Sequence, residues 1–592
     1  MEMLLRHMTI TELAEVFSRH KDLSPAPYLT DPTAIARARR LAKKNGIWDD
    51  LSKNLDATRD IPVIKRSAFR NFQRIGDRAL PESKSRYRAR ELERAAMALW
   101  LDHPKADVDY LQDLLWAYCD AHTWVLAACE GQREVDLGAV GTGARLAEIL
   151  YALGARLEDE VVERVAAEIE RRIFQNVWNY TQPEWWKSGR NNWNHVCNGE
   201  IIRMALYQIE EPAILAHMTH AAIQNMTYAL DAFADDGGCE EGPGYWGYGF
   251  GHYLYVAYAL YLKTGGELNL MTDEKIARIC RYPLAAHISG PLRSTFADSH
   301  HGTIPARIAL IINAFHRMPE LYALCAQHPD STLKLSGMHD LAFYKGEKAK
   351  GEPDPRDYHL PDLGQVKLRG KPGRKQMTVM ALAGYNGVPH NHNDIGSFIV
   401  HRGDRILLVD PGGPVYTRKT FSSQRYEIVF CNAIGHSVPV INGQLQQEGA
   451  EYYGTLTVEN LNGAGEKQAV IDMTHAYPKG TVKALTRTLT LDTEANRLTL
   501  EDAYTFAGTP ESLEEAFITF EKATVAGDGR SVQIGPKTKG IALSAGETPG
   551  AFRVQRLEAE SKQDGRTGDV ITRITFVPKN LDMEMCLRFE IA

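Results

Sequence analysis

Through most of the first 335 residues, apolar positions recur at i, i+3, i+4 and i+7. The runs "ARELERAAMALWLDH" (89–103), "DYLQDLLWAYCDAHTWVLAA" (109–128) and "GARLAEILYALGARL" (143–157) show it. "DEVVERVAAEIERRIFQNVWNY" (159–180) and "EPAILAHMTHAAIQNMTYALDAF" (211–233) follow the same spacing. At 3.6 residues per turn these positions share one face, so each run predicts an amphipathic helix. Glycine-bearing breaks at 141–143 and 237–238 are expected to separate helices. The helices come as hairpin-like pairs without a repeat of fixed period. That favours an incomplete (α/α) toroid over a solenoid, although periodicity alone establishes only a large all-α domain.

Near residue 340 the pattern changes. "GEKAKGEPDPRDYHLPDLG" (346–364) is rich in Pro, Gly and charge and reads as a linker or surface loop. Period-2 alternation follows in "KQMTVMALAG", "GSFIVHRGDRILLVD", "VKALTRTLTLDTEANRLTLEDAYTF" and "DVITRITFVP". These are strands joined by turns, without comparable helices between them, so an antiparallel β-sandwich is expected. The fold class is therefore a multidomain α+β chain: an incomplete (α/α) toroid over 1–340, then an antiparallel β-sandwich over 341–592.

Composition adds bounds. The 592 residues are 44% hydrophobic and 24% charged, an ordinary globular balance. A net charge of −7 is too mild to argue for nucleic acid, and local field matters more than the total for an anionic ligand. No run of about 20 apolar residues is present, and "MEMLLRHMTITELAEVFSRH" lacks the layout of a signal peptide. The eight cysteines contain no C-x-x-C and read as free thiols. A cytoplasmic protein is expected, or a periplasmic or secreted one if a leader has been removed. No membrane or nucleic-acid partner is expected.

Three clusters carry candidate chemistry. In "PEWWKSGRNNWNHVCNGE" (183–200), Trp185, Trp186 and Trp193 offer flat apolar faces. Asn191, Asn192, Asn194 and His195 offer hydrogen bonds, and Lys187 and Arg190 offer charge. Aromatic faces beside amides suit sugar rings. The plainer alternative is a polar cap on the following helix with its tryptophans in the core. In "DDGGCEEGPGYWGYGFGHYLY" (235–255), glycines permit close ligand approach, and Tyr245 and Tyr248 share one face if the segment is helical. A tyrosine is a usable proton-transfer group only where its environment lowers its pKa from about 10; the plainer alternative is a Gly/aromatic loop that merely packs. The third cluster joins "GVPHNHNDIGSFIVHRGDRILLVDPGG" (387–413) and "KTFSSQRYEIVFCNAIGHSVPVINGQ" (419–444). On an extended backbone His390 and His392 face one side, Asp410 ends an apolar strand and His436 follows on a loop. Histidine and aspartate from separate loops suit Zn²⁺, and equally a hydrogen-bonded His/Asp network. No G-x-S-x-G, Walker loop or strand–G-x-G-x-x-G–helix is present.

Taken in order, "NNWNHVCNG", "EGPGYWGYG", "HNHNDIGSF", "LLVDPGG", "SQRYE" and "GHSVPVING" resemble the heparinase II/III-like polysaccharide lyases. The resemblance implies an (α/α) toroid followed by a β-sandwich. It implies β-elimination on a uronic-acid-containing poly- or oligosaccharide such as alginate or a glycosaminoglycan. By that resemblance Asn191 or Asn192, with His195 as a further option, neutralises the uronate carboxylate. Tyr245, with Tyr248 as second choice, and His390 supply the proton transfers. Trp186, Arg190, Trp193, His195, Tyr248, Arg425 and Tyr426 bind the acidic chain. A structural Zn²⁺ is implied on His392, Asp410 and His436, with His475 as the alternative to His436. The partners implied are an acidic glycan and, as an open alternative, a second copy of the chain. Two other readings stand beside this one. A glycoside hydrolase would need paired carboxylates, for which Glu240, Glu241 and Asp298 are the candidates. A non-catalytic protein that binds acidic glycans would need neither.

Overall fold

The computed structural model describes residues 7–55, 61, 63–132, 134–178, 184–328, 332–346, 351 and 353–592. The opening residues 1–6, the end of the expected 159–180 helix and the linker positions 347–350 and 352 lie outside them. The chain divides into two compact units. The helical unit comprises Met1–Ala232, Trp246–Ala277 and Ile304–Glu352. The β unit comprises Phe233–Tyr245, Arg278–Thr303 and Pro353–Ala592. The expected single boundary near 340 is thus a boundary at 352/353, with two earlier segments assigned to the β unit.

In the helical unit, Asn192–Gln208 is the central helix. Asn191 caps it, accepting the Trp193 N–H with its side chain. Asn194 through Leu206 are buried without interruption, so the helix lacks the polar face of a surface helix. Its neighbours are Leu137–Leu153, Pro212–Leu230 and Gly251–Lys263. The expected break at 141–143 does not occur: one helix runs Leu137–Leu153 straight through it. The reason is packing, since a Cβ on Gly143 would lie 2.7 Å from Met204 Sδ, and glycine lets the two helices close. The expected 159–180 helix carries a π turn at Glu170–Phe174. No described helix is long and apolar enough to cross a membrane.

The β unit holds antiparallel sheets of nine, five and four strands, besides a two-stranded pair, among the described residues. The five-stranded sheet is a meander through Tyr358–Leu360, Gln365–Arg369, Met377–Leu382, Phe398–Arg402 and Arg405–Leu408. In the nine-stranded sheet Val482–Asp492 pairs with Arg497–Phe506, Leu489 opposite Leu500. Phe398, Leu489 and Phe517, one from each large sheet, enter a single apolar core. Alternation puts Leu485, Leu489 and Leu491 inward, and Arg487 with them. Arg487 is enclosed and answered by Asp502 and Glu515.

Two segments from the helical half of the sequence reach this unit through close backbone approaches. Gly237 (φ +87°) turns against Arg278, where a Cβ would sit 2.4 Å from its carbonyl carbon. Gly413 passes Asp298 so closely that a Cβ would lie 2.7 Å from its Cα. Tyr245 and Asp298 therefore join the strands and loops that carry the histidines.

Candidate active site

Asp298 is the hub of the polar cluster in the β unit. It follows Ala297, whose φ of +59° is left-handed for a non-glycine residue. Its carboxylate is enclosed and takes four donors. Oδ2 accepts from His390 Nδ1 at 2.7 Å and from the Tyr416 hydroxyl at 2.9 Å. Oδ1 accepts from His392 Nε2 at 3.0 Å and from an Arg425 Nη at 2.9 Å. Burial alone would raise this carboxyl. The bonds from His390 and His392 and the Arg425 charge outweigh burial and hold it well below the usual carboxylate range. A carboxylate only accepts, so His390 carries its proton on Nδ1 and His392 on Nε2. The lone pair of His390 is then on Nε2, 3.6 Å from Glu241 Oε1 and beyond hydrogen-bond reach of it. The backbone at His390 is left-handed (φ +61°), so the extended backbone on which His390 and His392 would face one side is not present there.

Tyr245 stacks on His390, with ring centroids 4.1 Å apart and planes 19° from parallel. Its hydroxyl bonds that of Tyr416. Tyr416 also lies 3.2 Å from His390 Nδ1 and so touches both groups. Burial pushes the Tyr245 phenol well above the ordinary tyrosine range, and the charges of Asp298 and Glu241 add to it. Burial and Asp298 do the same to Tyr416. Both phenols are therefore neutral at physiological pH. The pKa lowering that the sequence reading required of Tyr245 for proton transfer is not found; a neutral phenol can still donate its proton.

Behind His392 is a donor set that fits a cation. Ligand atoms of His392, Asp410 and His436 lie within 4.8 Å of one another, all buried. With Nε2 committed to Asp298, His392 Nδ1 is enclosed and has no partner. His436 Nε2 faces the Phe430 carbonyl at 3.1 Å, which leaves Nδ1 toward Asp410 Oδ2 at 3.0 Å. Asp394 adds an enclosed Oδ2 that makes no hydrogen bond and lies 3.9 Å from His436 Nδ1. Two imidazole nitrogens facing buried carboxylate oxygens are a ligand set for a divalent metal. Asp298, His392 and Cys431 form a second such group. His475 stacks on Tyr453 instead.

The remaining expected residues fall into different surroundings. Asn191 spends its side-chain oxygen on the helix cap, and Asn192 is buried beside Gly249, where a Cβ would lie 2.9 Å from its own. Trp186, expected as a sugar platform, is completely enclosed and donates to the Val135 carbonyl at 3.0 Å. His195 is likewise enclosed, and burial pushes it down to about 3, so it is a neutral core residue. The indole that reaches solvent is Trp185, tilted against half-buried Trp193 at 5.3 Å. Arg190 is exposed and donates to the Asp231 carbonyl. Tyr248 belongs to the helical unit, exposed and edge-on to His252. In the β unit Arg425, expected on the substrate, gives its three nitrogens to Asp298 and to the carbonyls of Asn391 and Thr420. Tyr426 is half-buried and accepts from Asn391.

Residues 352–566 match the family model described as heparinase II/III-like, C-terminal. From Pro353 onward that segment lies in the β unit, and it resembles the C-terminal domain of the heparinase II/III-like proteins. Its whole-chain fold is shared with solved structures at low identity. Heparinase III aligns at 12% identity over 95% of this chain and 93% of its own, with a TM-score of 0.61. Heparan sulfate lyase HepC from Pedobacter heparinus aligns at 12% over 98% and 88%, TM-score 0.59. Chondroitin AC lyase from Streptomyces coelicolor aligns at 11% over 98% and 82%, TM-score 0.52. No curated protein sequence matches the chain significantly.

The sequence reading missed two members of the cluster. Asp298 appeared only as a candidate hydrolase carboxylate, and it lies outside the matched 352–566 segment. Tyr416 was overlooked, although "GGPVYTRKT" places it six residues past Asp410, on the loop leaving the apolar strand.

Proposed function

We propose that the protein is a polysaccharide lyase that cleaves uronic-acid-containing glycans by β-elimination, leaving an unsaturated uronate end. The observation that carries this reading is the stacked Tyr245–His390 pair, joined through Tyr416 and Asp298. It is a neutral phenol against an imidazole whose Nε2 is free to accept. In the elimination His390 Nε2 takes the C5 proton. The C4–O4 bond breaks as the C4–C5 double bond forms. Tyr245 gives its proton to the departing O4. The spent pair is then an imidazolium and a phenolate. As the products leave, His390 loses its Nε2 proton to solvent and the Tyr245 phenolate takes one from solvent, which restores the Nδ1–H imidazole and the neutral phenol. Asp298 remains ionised and stabilises the imidazolium between the two steps.

The C5 proton becomes acidic only when the uronate charge is neutralised. We assign that to the amides of Asn191 and Asn192 from the helical unit, an incomplete toroid in this reading. One such preorganised donor is typically worth about 3–4 kcal/mol. We assign Zn²⁺ to His392, Asp410 and His436 as a clamp that ties the histidine loop to the sandwich. Glycosaminoglycans are the favoured substrates over alginate, because the similar folds are those of a heparinase, a heparan sulfate lyase and a chondroitin lyase. Hydrolysis is disfavoured by the state of Asp298: a carboxylate saturated by four donors has no capacity left as nucleophile or acid. The test is ultraviolet absorbance of the new double bond on incubation with heparan sulfate, chondroitin, hyaluronan, glucuronan and alginate. Signal should appear on at least one polymer and vanish in Tyr245→Phe. A folded protein silent on all five overturns the reading.

A further inference from the structure

The helical unit contains a cavity of about 1100 Å³. Sites for single small molecules usually span about 300–1,000 Å³, so this one has room for several linked sugar rings. Its walls combine aromatic faces, among them Tyr118, Tyr248 and Tyr255, with eight arginines against six carboxylates. Five of those arginines are in ion pairs: Arg66 with Glu130, Arg86 with Glu82, Arg94 with Glu91, Arg145 with Glu93 and Arg203 with Glu200. Arg88, Arg90 and Arg307 have no ion pair among the described residues.

Arg88 decides the matter. It is 5% exposed, its guanidinium lies 4.1 Å over the Tyr118 ring, and Nε and one Nη have no acceptor. Arginine does not shed its charge on burial, so an enclosed, carboxylate-free guanidinium is a standing cost that an incoming anion relieves. Arg307 is poised in the same manner over Tyr255, at 3.4 Å. Its planar fork matches the oxygens of a carboxylate or sulfate, and the aromatic walls match the flat faces of sugar rings.

We propose that this cavity binds an acidic oligosaccharide, with Arg88 as buried anchor and Arg90 and Arg307 as flanking contacts for its sulfate or carboxylate groups. The identity of the ligand as a uronate glycan rests on the lyase reading; the anion site does not. The test is calorimetric titration of the Tyr245→Phe protein with a sulfated heparan hexasaccharide and its unsulfated counterpart. In that background Arg88→Met should weaken binding at least tenfold. Arg90→Gln, at an exposed position where folding is not at stake, should weaken it severalfold and flatten its salt dependence. Loss confined to the sulfated ligand assigns Arg88 to sulfate; loss on both assigns it to the uronate carboxylate. Binding within twofold of the parent for Arg88→Met, Arg90→Gln and Arg307→Met overturns the proposal, as does failure of the parent to bind either ligand. A wild-type protein that binds these ligands through the arginines but cleaves none refutes the lyase reading alone.

Discussion

Asp298→Asn keeps the shape of the hub and removes its charge. In the wild type two oxygens take four donors, two each. An asparagine has one acceptor oxygen, and its amide nitrogen must face two of those donors. If the amide replaces Oδ2, His390 loses the acceptor for Nδ1–H, the imidazole turns to the other tautomer, and Nε2 is protonated and no longer a base. If it replaces Oδ1, Arg425 is left enclosed without a counter-charge. Removing one partner of a buried pair costs about 3–5 kcal/mol of stability. In the related aspartate–histidine arrangement of a serine protease, the wrong tautomer costs about 10⁴-fold in kcat. A fall of about 10³–10⁴-fold is therefore expected here, or about 4–5.5 kcal/mol at 1.36 kcal/mol per tenfold. The assay is the initial rate of ultraviolet absorbance on the polymer that the wild type cleaves, with a thermal melt alongside. KM should change little, because Asp298 is buried and binds other side chains rather than sugar. A folded Asp298→Asn protein whose kcat stays within tenfold of wild type would refute the assigned tautomer and the role of His390 as base.

Gly249→Ala places a methyl 2.9 Å from the Asn192 Cβ. Overpacking of this kind costs about 1–3 kcal/mol, so kcat should drop about tenfold or more with a modest fall in Tm; unchanged kcat would remove Asn192 from the chemistry. His436→Ala should release the bound metal, read as zinc per chain by atomic absorption, and lower Tm; a wild type purified with zinc-saturated buffer yet holding none would count against the clamp. Glu200 gives a pH prediction. Burial raises its carboxyl, but Arg203 and His252 outweigh this and bring it down to about 2. Because the folded value is depressed, its contribution is full above the unfolded value of about 4.3 and is lost as pH falls toward 2. A gap of roughly two units is worth about 3 kcal/mol. The stability difference between wild type and Glu200→Gln, followed by urea unfolding, should shrink steadily from pH 5.5 to pH 2; a pH-independent difference would contradict it.

Much of the architecture was legible in the pattern of the chain. The 3.6-residue spacing before 340 and the alternation after it are local properties, written into neighbouring residues, and they name helix and strand without knowledge of distant partners. Tyr245, His390, His392, Asp410 and His436 could be named because each sits in a run of unusual composition. What the chain pattern left open was decided by contacts far apart in sequence. Asp298 reaches His390 across 92 positions and Arg425 across 127, and no local signal marks a lone aspartate as the acceptor of four donors. Likewise the Gly-Thr-Gly at 141–143 stays helical because Met204 fills the space above Gly143. Trp186 and His195 were read as ligand contacts and are core, since burial is set by what packs around a residue and not by its type. Tyr245 shows the division most plainly: its position was readable, but its state as a neutral acid comes from enclosure and from the charges of Asp298 and Glu241, which only the folded chain brings to it.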